Sequence, residues 1–113
     1  MIGKATLRAL AMNRTEQAWS KELSLRQTAG EIIRLDFEPE KLRLADNTFY
    51  TPDFRVVMAD GTIEFHEVKG SNYQGYYCRD DAKVKIKVAA EQHPYKFMIV
   101  WKTRNGEWVS ELF

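Results

Sequence analysis

Residues 49–71 read FYTPDFRVVMADGTIEFHEVKGS. Two apolar-rich runs, Phe49 to Met58 and Thr62 to Lys69, meet at the polar break Ala59-Asp60-Gly61-Thr62. So tight a connection, made of turn-forming residues, joins neighbouring strands as an antiparallel hairpin. No other stretch constrains the fold as strongly, because it sets two adjacent strands and their relative direction together. It also places charge where a core is expected. Side chains alternate across a strand, so Ile63, Phe65, Glu67 and Lys69 share one face, and Phe49, Thr51, Asp53, Arg55 and Val57 share a face of the partner strand.

The rest of the chain builds around this hairpin. Residues 13–29 predict a helix with Asn13 as cap, Glu16 closing a capping box, and Gly30 as stop. Trp19 and Leu23 lie on its apolar stripe, with Ala18, Leu25 and Ala29 widening it. Ile2 to Met12 is open to reading as a further short helix. Glu31 to Glu38 alternates like a strand, Pro39 interrupts it, and Leu42 to Leu44 offers a continuation. Gly70 to Tyr77 is a loop rich in Gly, Asn and Tyr. Residues 80–92 mix strand-like KVKIKV with helix-like VAAEQ, and a helix fits the crossover between two strands better. Tyr95 to Trp101 is apolar enough for a central strand, and Asn105-Gly106 turns it into a last strand over Glu107 to Leu112. The expected architecture is one domain over residues 1–113 in the α/β class: a mixed sheet flanked by helices, in the order α-β-β-β-α-β plus a C-terminal strand.

With 44% hydrophobic and 29% charged residues the chain has the composition of an ordinary globule, not of a disordered tail. Cys78 is the only cysteine, so no internal disulfide can form. Together with His66 and His93 it makes a poor zinc set, since no CxxC or HxxxH spacing occurs. No run reaches the roughly 18 apolar residues of a membrane span. The opening MIGKATLRALAM lacks a signal-peptide core, and a cytoplasmic location is expected. The net charge of +1 conceals an acidic middle: residues 36–70 carry four basic and eight acidic groups, between basic flanks.

If the hairpin register brings Asp53 near Glu67, two carboxylates enter one cleft. At about 4 Å they repel by about 1–4 kcal/mol, depending on the effective dielectric. A proton, a cationic side chain or a divalent metal must offset this. Hard oxygen ligands favour Mg²⁺ or Mn²⁺. Lys69, next neighbour of Glu67 on its face, could then orient a water or stabilise negative charge developing on a phosphate. The combination suits phosphodiester hydrolysis and suits a dry core poorly.

Pro52-Asp53 followed by Glu67-Val68-Lys69 resembles the PD-(D/E)XK nuclease motif. TEQAWSKELSLRQTAGEI, YTPDF and FHEVKG together resemble small phage-encoded endonuclease-like proteins of that superfamily, across roughly residues 13–102. The resemblance implies a restriction-endonuclease-like core and a Mg²⁺-dependent endonuclease acting on DNA in the cytoplasm, that of the host cell if phage-encoded. It assigns metal binding to Asp53 and Glu67, a further ligand to the Val68 carbonyl, and assistance of the attacking water to Lys69. The helix glutamate completing the acidic cluster would be Glu16, with Glu22 as the alternative. The resemblance extends to relatives that resolve branched DNA, often as dimers, so a structure-specific substrate and a homodimer are open expectations; no motif decides between branched and linear DNA, and RNA is a third substrate reading. A non-catalytic nucleic-acid-binding or protein-interaction domain retaining the fold is the alternative.

Several residues carry two readings each. Glu16 closes a capping box or supports the metal. Tyr73, Tyr76, Tyr77 and Arg79 grip nucleic acid or pack their loop. Lys83 and Lys87 contact phosphate or form a solvated helix face. His66 points away from Glu67 and reads as a core-edge histidine.

Overall fold

The computed structural model describes residues 11–72, 75, 76, 78 and 80–113. The possible helix over Ile2 to Met12 therefore falls almost wholly outside the described residues. The first described helix, α1 (Arg14–Thr28), begins with a complete capping box: the Asn13 side chain accepts from the Glu16 N–H at 2.8 Å, and Glu16 Oε1 accepts from the Asn13 N–H at 2.9 Å. Its end is a Schellman turn. The Gly30 and Glu31 N–H groups donate to Gln27 and Arg26, and Gly30 takes a φ of 87°, which costs a glycine little. Trp19 and Leu23, one turn apart, are buried, whereas Leu25 is 67% exposed and Ala29 is exposed too. The apolar stripe is thus narrower than expected. Leu25 lies two residues beyond Leu23, about 200° around the axis.

Strands β1 (Ile32–Phe37), β4 (Phe54–Met58), β5 (Ile63–Val68), β8 (Lys96–Lys102) and β9 (Trp108–Leu112) form a five-stranded mixed sheet in the order β1-β4-β5-β8-β9. The β4–β5 hairpin is antiparallel, as the sequence predicts, with Phe54 opposite His66 and Val57 opposite Ile63. Helix α2 (Asp80–Gln92) connects β5 to β8, which run parallel, and β8 turns back into β9 through Asn105-Gly106. Helix, not strand, is therefore the outcome for residues 80–92, as the crossover demanded.

The expected strand from Phe49 to Met58 is two strands. Residues Thr51, Pro52 and Asp53 separate β3 (Thr48–Tyr50) from β4, and β3 pairs with β2 (Leu42–Ala45) in a separate two-stranded sheet. Pro52 has no N–H to donate to a ladder, so the chain leaves the main sheet there. Leu42 to Leu44 accordingly does not extend β1. A further small ribbon, β6 (Ser71–Asn72) with β7 (Gly75–Tyr76), occupies part of the expected loop.

Two cores follow. Trp19, Leu23, Ile32, Phe37, Phe54, Val56, Val68 and Val100 pack between α1 and one face of the sheet. Phe65, Phe97 and Ile99 on the other face pack with Ile86 and Ala89 of α2 and with Leu42, Leu44 and Tyr50. Among the described residues no helix is long and apolar enough to cross a membrane.

Candidate active site

Asp53 is held at the break before β4 by three bonds. Its N–H donates to the His66 carbonyl at 3.1 Å, its own carbonyl accepts from the Glu38 N–H at 2.7 Å, and its Oδ2 accepts from the Val68 N–H at 2.8 Å. The side chain thus takes an N–H that a continuing strand would have satisfied by backbone. The step past the Phe54–His66 pair brings Asp53 beside Glu67 at the C-terminal end of β5. Glu67 is held on both oxygens: Oε1 accepts from the Tyr50 hydroxyl at 2.8 Å, and Oε2 pairs with Lys69 Nζ at 3.2 Å. From the opposite side of the sheet, Glu16 hydrogen-bonds the Asp53 carboxyl. Its two readings are therefore compatible, since the same buried side chain closes the capping box and meets Asp53. Glu22 lies on the exposed side of α1.

The electrostatics reflect this crowding. Burial first, then the charge of Glu67 and the charge and hydrogen bond of Glu16, push the Asp53 carboxyl up to about 8 against the opposing Val68 N–H. Asp53 therefore holds a proton at neutral pH, and a hydrogen bond between two carboxyls requires one. Burial pulls the Lys69 ammonium down, but the charge and hydrogen bond of Glu67, with lesser help from Cys78 and Asp53, outweigh it and hold Lys69 above its ordinary value. Lys69 is consequently a cation at neutral pH. Burial and the adjacent Glu67 carboxylate raise the Tyr50 phenol.

Among the described residues no three His, Cys, Asp or Glu side chains form a preformed metal cage. What the fold assembles is a carboxyl pair, Asp53 and Glu67, with Glu16 bonded to the first and Lys69 to the second.

No family model, curated protein or solved structure matches this chain.

The remaining candidates lie elsewhere. Tyr73, Tyr77 and Arg79 fall outside the described residues. The Tyr76 hydroxyl donates to Glu111, its ring centre is 4.8 Å from that of Trp101, and Lys83 Nζ sits 5.3 Å from its ring centre. Tyr76 and Lys83 are thus engaged with each other and with the fold. Lys87 is exposed on α2. His66 is 1% exposed on the α1 side of the sheet. Its Nδ1 accepts from Trp19 Nε1–H at 3.0 Å, so its proton is on Nε2, which donates to Glu64 at 2.9 Å. Both ring nitrogens are satisfied, and the core-edge reading of His66 fits.

Tyr50 is the site residue that sequence reasoning missed. It is 7% exposed and its hydroxyl has Glu67 as partner. Tyr50→Phe leaves a buried carboxylate oxygen without that donor. The expected loss is about 1.5–3 kcal/mol, read as a lower urea midpoint with an unchanged slope. An unchanged midpoint would mean that the bond contributes nothing net.

Proposed function

We propose that this chain is a divalent-metal-dependent endonuclease that hydrolyses DNA phosphodiester bonds, with the site of a PD-(D/E)XK nuclease. The observation carrying this reading is the meeting of Asp53 and Glu67 at the C-terminal end of β5, with Glu16 bonded to Asp53 and Lys69 at 3.2 Å from Glu67. The donor set fits Mg²⁺ or Mn²⁺: hard carboxylate oxygens, buried and crowded enough that Asp53 carries a proton even with Lys69 beside Glu67. Asp53 and Glu67 would hold the ion, with the Val68 carbonyl as a further ligand and Glu16 supporting Asp53. When bound, the ion supplies counter-charge, polarises a phosphate oxygen and makes a water easier to deprotonate.

The chain's own residues do the rest. Asp53 is fixed through both its backbone and its carboxyl. Tyr50 orients Glu67. Lys69 is protonated, so it can donate a hydrogen bond and neutralise charge on the phosphate, and it is poorly suited to abstract a proton. Between the two roles open to this lysine, protonation favours stabilising the developing negative charge.

The test is a panel of labelled linear, flapped and four-way DNAs, incubated with Mg²⁺, with Mn²⁺ or with EDTA. Cutting that needs the metal is the expected result, and a preference for branched substrates is part of the proposal, as is a homodimer. Binding without cutting of any DNA would turn the reading to a non-catalytic module built on the same fold.

A further inference from the structure

Beside the acidic cluster, on the far side of Lys69, lies a cavity of about 240 Å³ with the opposite electrostatic character. Arg14 from the first turn of α1, Lys69 after β5 and Lys102 at the end of β8 all line it, with Gly70, Ser71 and Trp108. Three cations from three separate elements meet there. Among the described residues neither Arg14 nor Lys102 has a carboxylate partner, although Arg26, Arg34, Arg55 and Lys69 do. Glu67 balances Lys69 at 3.2 Å, but Arg14 and Lys102 add two like charges beside it with no carboxylate of their own, so the convergence calls for an anion.

The cavity is also organised. Lys102 Nζ sits 5.9 Å from the centre of the Trp108 ring, which is itself packed at 4.7 Å on Trp19. The Ser71 hydroxyl donates to the Lys102 carbonyl, tying the chain after β5 to the end of β8. The Lys69 N–H donates to the Val100 carbonyl at 3.0 Å, so the wall between the two sites is fixed. At Gly70 nothing lies within 4 Å of where a Cβ would stand, which leaves the mouth open.

We propose that this cavity is a second phosphate subsite, binding a phosphodiester next to the scissile one on the same DNA strand. Lys69 belongs to both sites and sets their spacing. Arg14 and Lys102 hold the neighbouring phosphate, and the Trp108 ring forms the floor. The subsite thus orients the strand so that the scissile phosphate reaches Asp53 and Glu67. This inference rests on the nuclease reading for the identity of the strand, but not for the binding of phosphate.

The experiment compares wild type with Arg14→Ala/Lys102→Ala and with the charge-retaining Arg14→Lys/Lys102→Arg. Binding of a short labelled DNA duplex is measured in EDTA across a salt series, and cleavage of the same duplex is measured with Mg²⁺. Both positions are exposed, so the fold should tolerate the changes. The alanine variant should bind about 10–100-fold more weakly, with a salt slope lower by about 2, and the charge-retaining variant should keep the slope. Lys102→Gln alone should lower the slope by about 1 and serves if the double variant does not fold. Wild-type affinity and slope in the alanine variant would overturn the subsite, as would a wild type that binds no DNA. Inorganic phosphate that displaces DNA as well as a competing duplex does would mark a site for free phosphate and overturn the strand assignment. The two readings separate cleanly. A slope change without any wild-type cleavage keeps the subsite and removes the nuclease, and cleavage with an unchanged slope does the reverse.

Discussion

Lys69→Ala is expected to lower metal-dependent cleavage by about 10²–10⁴-fold while the protein stays folded and binds the metal. The side chain is half-buried and salt-bridged to Glu67 at 3.2 Å, so its removal leaves that carboxylate with Tyr50 as its remaining donor. The loss should fall mainly on kcat, because a cation placed for the developing charge acts more strongly in the transition state than on the bound substrate. Lys69→Arg keeps the charge but not the compact ammonium, so it should recover only part of the rate. Single-turnover cleavage of the preferred DNA reads these effects directly. If Lys69→Ala cuts as fast as wild type, the assigned role of Lys69 is wrong.

The parts of the fold that the sequence displays are those fixed by local chemistry. Asn13 and Glu16 mark the start of α1, Gly30 its end, and Ala59 to Thr62 the hairpin, because each is decided by backbone groups within a few residues. The pairing of Asp53 with Glu67 was legible for the same reason, since a tight turn sets register. Tyr50 was not. Alternation along one continuous strand puts Phe49 with Asp53 and turns Tyr50 to the other face. The break at Pro52 removes that parity: Phe49 is 44% exposed, and Tyr50 reaches Glu67. The signal was the proline itself, which cannot donate to a ladder and so ends one. The missed groups at the second cavity have a different cause. Arg14 and Lys102 lie at opposite ends of the chain, and only the β8–β5–α1 stacking brings them to Lys69. The basic flanks seen in the charge pattern thus converge beside the acidic middle, but no spacing in the sequence encodes that contact.

Asp53→Asn is expected to abolish cleavage and yet make the metal-free protein more stable. The carboxyl is held protonated up to about 8, against 3.8 for an ordinary aspartate. Between those values the folded chain keeps a proton that the unfolded chain has released, so wild-type stability falls as pH rises through this window. The stabilisation is complete below the ordinary value and lost as the pH passes about 8. An asparagine reproduces the protonated form: its oxygen can accept from the Val68 N–H, and its amide can donate to Glu16. It has no proton to lose. At about 1.4 kcal/mol per pH unit, the advantage of the variant should be small around pH 4 and reach up to about 5 kcal/mol at pH 8, measured by urea unfolding in EDTA at a series of pH values. Mg²⁺ should raise the wild-type midpoint, more at high pH because the ion competes with the proton, and should leave the variant unmoved. A variant less stable than wild type at every pH would mean that Asp53 is ionised in the folded protein. A pH-independent difference would mean that the proton held on the carboxyls is not on Asp53. The expected trade of stability for activity is what a site built from crowded carboxyls predicts: the repulsion that weakens the empty fold is the same repulsion that a bound cation relieves.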